Sequence, residues 1–446
     1  MKNGTMIVKS ALFSLLLLFG LSRQVFGQTP AKGLEGSWYG TLDAGSTKLQ
    51  LIVTVTKAES GIYAGKFESP AQGASLPLDT ISLRGDDVTF GNRAAGIAFD
   101  GVLNKQHTEL VGTFKQSGQA IPLSFTRDKP AAAAPAAPKP KADYSAPADA
   151  NYTAEEVLVK TPGGFTLAGT LTLPKGASKE HPVGAVVTIT GSGQEDRDSA
   201  IGLEGYRPFR QIADSFGRNG VAMLRMDDRG FGGSGGTFKG STSEDFGEDA
   251  RAGLAYLRTR PEIRADRLGV LGHSEGAVIT PMVAAKEPAL RAIVLLAGVA
   301  EPARSALHFQ MKNNIEHEAN LTSAQQAAGI AEIPVKIDAM MAADPWMKFF
   351  LTYDPAATMR RVKTPVLILT GSNDKQAAPA QVALEEAAFK SGGNKDVTAR
   401  VIPGLNHLFV ADADGFPGNY GKLPPPVMMR ADVVKIITDW MVAHLR

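Results

Sequence analysis

The chain has 446 residues, with 47 Lys+Arg against 45 Asp+Glu and a formal net charge of +2. That length exceeds the roughly 100–200 residues of one domain, and so even a charge balance provides no strong field for nucleic acid or anionic lipid. The composition, 43% hydrophobic and 21% charged, is that of a folded protein, and the lack of cysteine excludes disulfides, thiolate nucleophiles, Cys-ligated zinc and iron–sulfur clusters.

Residues 1–27 read as an export signal. Lys2 and Lys9 form a basic start, Ala11 to Leu21 an apolar run, and Val25-Phe26-Gly27 a cleavage site that leaves Gln28 first. An apolar run of about 12 residues falls short of the ~20 that span a bilayer. The expectation is a cleaved, exported protein, periplasmic or extracellular, without a stable membrane anchor.

Residues 31–127 read as all-β. Leu49, Leu51, Val53 and Val55 alternate with Gln50, Ile52, Thr54 and Thr56, and runs such as Ile81 to Leu83, Val88 to Phe90 and Leu110 to Phe114 recur between glycine-rich turns. A small sandwich or barrel fits, with Trp38, Tyr39 and Tyr63 as core aromatics rather than a binding face. Residues 128–150, containing AAAAPAAPKPK, read as an extended, semi-rigid linker.

Residues 151–446 alternate short apolar runs with helical patterns. Val183 to Ile189, Val221 to Met226, Leu268 to Leu271, Ala292 to Ala297 and Val366 to Thr370 suit strands buried on both faces, with Thr166 to Leu173 in an antiparallel hairpin at one edge. Phe209 to Arg218 and Phe246 to Arg258 are helical. The alternation predicts an α/β fold with a doubly wound, mostly parallel sheet. Residues 299–362 interrupt it with helical stretches broken by Pro334, Pro345 and Pro355.

Gly272-His273-Ser274-Glu275-Gly276 fits G-x-S-x-G, between an apolar strand and a helical pattern. A strand running straight into a helix turns sharply at the serine, and the glycines let neighbouring backbone come close. In this context the chain resembles the α/β-hydrolase superfamily over residues 152–446, and within it the exported esterase and serine aminopeptidase-like hydrolases. The resemblance implies Ser274 as nucleophile, followed in chain order by an acid and a histidine. Among seven histidines, elimination by position leaves His407, on a loop after Val401-Ile402 and before the last helix. Asp374 is the preferred acid over Asp354 and Asp396, because it follows the run Val366 to Leu369 through Gly371-Ser372-Asn373.

An oxyanion needs preorganised N–H donors. The resemblance implies one from Glu275 and one from the turn Thr190-Gly191-Ser192-Gly193, at Ser192 or the neighbouring Gly193. Thr190 stands where the superfamily usually has histidine. Two further segments, Glu195-Asp196-Arg197-Asp198 and Asp227-Asp228-Arg229-Gly230, read as structural Arg–Asp pairing. The insertion 299–362 resembles a cap; its Met340, Met341, Trp346, Met347, Phe349 and Phe350 suit ordinary cap packing or an acyl pocket.

The expectation is a serine hydrolase acting on small carboxylic esters, with no cofactor and no metal implied. A serine peptidase is the runner-up, and an inert envelope-binding protein the alternative from another class.

Overall fold

A computed structural model describes residues 33–446 except 44–47, 71–73, 93–95, 117–118, 130–141, 318–320 and 344. The export-signal reading of residues 1–27 lies outside the described residues, as does the centre of the Pro/Ala-rich segment.

Among the described residues nine strands form the N-terminal domain: β1 (Gly36–Asp43), β2 (Lys48–Lys57), β3 (Tyr63–Ser69), β4 (Ala74–Pro77), β5 (Thr80–Arg84), β6 (Asp87–Asn92), β7 (Ile97–Leu103), β8 (Glu109–Gln116) and β9 (Gln119–Thr126). Every pairing is antiparallel, in the order β4-β3-β2-β1-β9-β8-β7-β6-β5. The two end strands are consecutive in sequence. Between them the amides of Leu78 and Asp79 donate to the carbonyls of Gly65 and Gly91, which draws the ends of the sheet together. Alternate side chains fill the interior, as the period of a pleated strand requires. Phe90 stacks on Phe99 at 4.7 Å, and Phe125 meets both edge-on. Trp38 is fully buried in this core, its Nε1 donating to the Leu34 carbonyl and the Arg127 guanidinium lying 3.5 Å over its ring. Tyr39 and Tyr63 are half-buried.

The second sheet contains β10 (Tyr152–Lys160), β11 (Thr166–Pro174), β12 (Val183–Ile189), β13 (Ala222–Met226), β14 (Ile263–His273), β15 (Ala292–Leu296), β16 (Val366–Gly371) and β17 (Val397–Ile402). Its order is β10-β11-β13-β12-β14-β15-β16-β17. The last six are mutually parallel, and β10 and β11 form the expected antiparallel hairpin at one edge. The helices packed on this sheet include α1 (Pro208–Arg218), α2 (Ser243–Thr259), α3 (Glu275–Lys286), α9 (Gln381–Ser391) and α10 (Ala431–Leu445). Alternate residues of β12 face opposite layers. Val187 and Ile189 face the buried layer that contains α2 and α3, and Val186 faces the one that contains α1 and α10. The strand order reverses around β12, so the crevice at its carboxyl end is where such a sheet accepts ligands.

Between β15 and β16 lie α4 (Ala303–His317), α5 (Ser323–Ala331), α6 (Ile333–Ala343), α7 (Pro345–Thr352) and α8 (Pro355–Met359). Pro345 and Pro355 each open a helix, where a missing N–H costs nothing. Pro334 likewise lies at the expected break, in the first turn of α6 directly after α5 ends at Ala331. Ile333, Ile337, Met347 and Leu351 give this cap its own small core. The end of the linker is docked on the sheet domain: Arg210 donates to the Asp143 and Ser145 carbonyls, and Arg218 pairs with Asp149 at 3.0 Å.

Candidate active site

β14 ends at His273 and α3 begins at Glu275, leaving Ser274 at φ 55° and ψ −116°. A non-glycine residue there is strained by roughly 1–3 kcal/mol and persists only where the surroundings impose it. Two glycines impose it. A Cβ at Gly272 would overlap the carbonyl of Gly276, and one at Gly276 would overlap the carbonyl of Ile189 at the end of β12. The turn is therefore pressed against the carboxyl ends of the central strands, with the Glu275 N–H among the free donors of the first turn of α3.

Asp374 leaves the end of β16. Its Oδ1 accepts from the amides of Gln376 (2.7 Å) and Ala377 (2.8 Å), and its Oδ2 accepts from His407 Nδ1 at 2.8 Å. Both side chains are buried. The loop carrying His407 is braced by Asn406, fully buried, whose Oδ1 accepts from the amides of Leu408 and Val410. Because Nδ1 donates to the acid, Nε2 is the nitrogen left for proton transfer. The structure pairs the acid with the histidine directly. The Ser274 hydroxyl has no hydrogen-bond partner among the described residues, and such bonds commonly tighten only around substrate.

His273 joins the two halves, a role the sequence reading did not assign. Its Nε2–H donates to the His407 carbonyl at 3.0 Å, and the two rings lie 4.9 Å apart. Burial and the neighbouring His407 push its pKa down to about 3, so it stays neutral. A Cβ built on Gly191 would lie 3.6 Å from the Ser274 Cβ and 3.8 Å from His273 Nδ1, so the turn after β12 reaches the serine.

That turn, containing Ser192 and Gly193, is fixed from beneath. Asp228 accepts from the Thr190 hydroxyl and the Glu195 amide, both at 2.7 Å. Arg197 clamps Asp227 through Nε and Nη2, each at 2.9 Å, so the two Arg–Asp segments pair with each other. Gly193 takes φ +98°.

Three carboxyl groups surround the turn. Desolvation raises Glu195 to about 7, Asp228 well above the ordinary range, and Glu275 above its usual value. A protonated Asp228 and a partly protonated Glu195 at neutral pH lessen the negative charge near the place where an oxyanion would develop. Among the described residues no group of three or more His, Asp or Glu could hold a metal.

A family profile described as "Serine aminopeptidase, S33" matches residues 203–414, a span that contains Ser274, Asp374 and His407. Esterase EstD of Thermotoga maritima is 28% identical over 290 residues, 62% of this chain. The chain spans 65% of the length of that relative. Among solved structures, the esterase Pf2001 of Pyrococcus furiosus superposes with a TM-score of 0.42 at 18% identity, covering 56% of this chain and 82% of the other. Est1E of Butyrivibrio proteoclasticus, bound to ferulic acid, does so with a TM-score of 0.44 at 17% identity, covering 65% and 98%.

Proposed function

We propose that the chain is a serine hydrolase of the α/β-hydrolase superfamily, similar to its serine aminopeptidase-like part, that cleaves small carboxylic esters through an acyl-enzyme. The observation that carries this reading is the buried Asp374–His407 pair at 2.8 Å, tied through His273 to the strained Ser274 turn.

In this mechanism Ser274 Oγ attacks the ester carbonyl as His407 Nε2 takes its proton. Asp374 holds the imidazole by Nδ1 and stabilises the imidazolium. The tetrahedral oxyanion is bound by the Glu275 N–H and by one from Ser192 or Gly193. His407 returns the proton to the leaving alcohol, and a water activated by the same nitrogen hydrolyses the acyl-serine.

The test is pre-steady-state turnover of p-nitrophenyl esters beside aminoacyl nitroanilides. A burst of one nitrophenolate per active site is expected. Ser274→Ala should lower turnover by about 10⁴-fold or more. Ester turnover untouched by Ser274→Ala would sink the reading. The aminopeptidase description of the matching profile favours a peptidase as the second reading, and faster nitroanilide turnover would select it. We also propose export with cleavage after Gly27, checked by fractionating cells and sequencing the mature N-terminus.

A further inference from the structure

Glu275 carries a carboxyl group that the hydrolytic mechanism does not use. The residue is 1% exposed, and its Oε1 accepts from Ser243 Oγ at 2.6 Å and from Trp346 Nε1 at 2.9 Å. Ser243 opens α2, in the body of the domain, whereas Trp346 belongs to α7 in the cap. The other oxygen, Oε2, is buried and has no hydrogen-bond partner among the described residues. One side chain thus ties the cap to the body, on the residue whose own N–H is expected to be an oxyanion donor.

Trp346 is also where the cap meets the body through its rings. It lies parallel to Phe350 at 6.0 Å and tilted on Phe238 at 5.9 Å, and Phe238 stacks on Phe246 at 5.2 Å. Phe238 and Phe246 line, with Thr190, Gly191 and Gly193, a crevice of about 30 Å³. That is room for one or two waters rather than an ester. Trp346 packs on Phe238, one wall of this crevice, so widening the crevice at Phe238 and displacing the Trp346 end of the cap go together. Moving that end of the cap removes one of the two donors to Oε1 and leaves the buried carboxyl group held by Ser243 alone, which weakens its satisfaction at a buried site.

We propose that Glu275 is a positioning residue that couples cap docking to the oxyanion hole. With the cap docked, Trp346 and Ser243 hold the side chain and with it the first turn of α3, so the backbone N–H is correctly aimed. With the cap displaced, the side chain reorients and the donor is lost. Hydrolysis is then strongest when the cap covers the substrate. The kinetic half of this inference rests on the hydrolase reading; the docking half does not.

The test uses full-length protein and two readouts. Trp346→Phe keeps an aromatic ring on Phe238 and Phe350 but removes the donor; Glu275→Ala removes the acceptor. In each, hydrogen exchange of the α7 amides should quicken by about tenfold, and kcat for a nitrophenyl ester should fall by about tenfold with KM little changed. Glu275→Gln, which retains an acceptor oxygen, should recover most of both losses. The double variant should be no worse than either single one. Unchanged α7 exchange, or losses that add in the double variant, overturns the coupling. A wild type that shows no burst while α7 exchange responds overturns the hydrolase reading instead, so the two failures are distinguishable.

Discussion

Glu385 on α9 is fully buried, and neither of its carboxyl oxygens has a hydrogen-bond partner among the described residues. It lies beneath Gly298, where a built Cβ would come within 2.6 Å of its Oε1. Desolvation raises its pKa from 4.5 to about 8, so in the folded state it is protonated at neutral pH. Between those values the folded protein holds a proton that the unfolded chain releases. Stability therefore falls as pH rises from 4.5 to about 8, by up to about 1.4 kcal/mol per pH unit, and is flat beyond. Glu385→Gln, with the shape of the neutral acid, should remove this fall, so its advantage over the wild type grows from pH 5 to pH 8 in urea titrations. Parallel pH dependence of the two proteins would mean that the group is not a buried neutral acid. Nothing in the sequence marks Glu385, since an acid on a helix reads as solvated until its neighbours are known. Ser274 was legible for the opposite reason, because the glycines on either side answer to a local backbone demand.

At the scale of elements, Arg197 joins four pieces of chain. From the turn after β12 it reaches Asp227 after β13, Glu156 on β10 and Thr170 on β11, with its ring neighbour Tyr144 on the docked end of the linker at 4.1 Å. Arg197 and Asp227 are each 2% exposed. Removing one partner leaves the other charge buried and unpaired, so Arg197→Ala should destabilise by about 3–5 kcal/mol in urea titrations. The double substitution Arg197→Met with Asp227→Leu should recover most of that, and a loss under 1 kcal/mol in Arg197→Ala would show that the clamp holds little. The sequence suggested Arg–Asp pairing within each segment but not across the 30 residues between them. β17 was likewise only partly legible, because an edge strand with exposed Arg400 and Val401 carries no continuous apolar run. The central strands, apolar on both faces, stood out clearly.

The whole molecule has separate cores. Among the described residues Trp38, Phe90, Phe99 and Phe125 share a buried cluster confined to the N-terminal sheet, and the strands of the second sheet share theirs with the helices of their own domain, although α6 of the cap touches β3. Separate cores predict separate unfolding transitions in calorimetry. Trp38→Ala should lower the N-terminal transition by an amount equivalent to about 3–5 kcal/mol while leaving ester turnover unchanged. A single transition that shifts as a whole, or turnover lost along with it, would show that the two domains act as one unit.

Hydrophobic period, turn chemistry and the G-x-S-x-G spacing are local properties, each written within a dozen residues of chain. They determined the two-domain plan, the parallel sheet and the sharp turn at Ser274. Pairings across long stretches of chain were decided only by the tertiary structure: His407 against Asp374, His273 against the His407 carbonyl, and Glu275 against Trp346. Each is a contact of one or two atoms, 33, 134 and 71 residues apart. Such contacts follow from how whole strands and helices stack, and no short stretch of sequence contains the distances that create them.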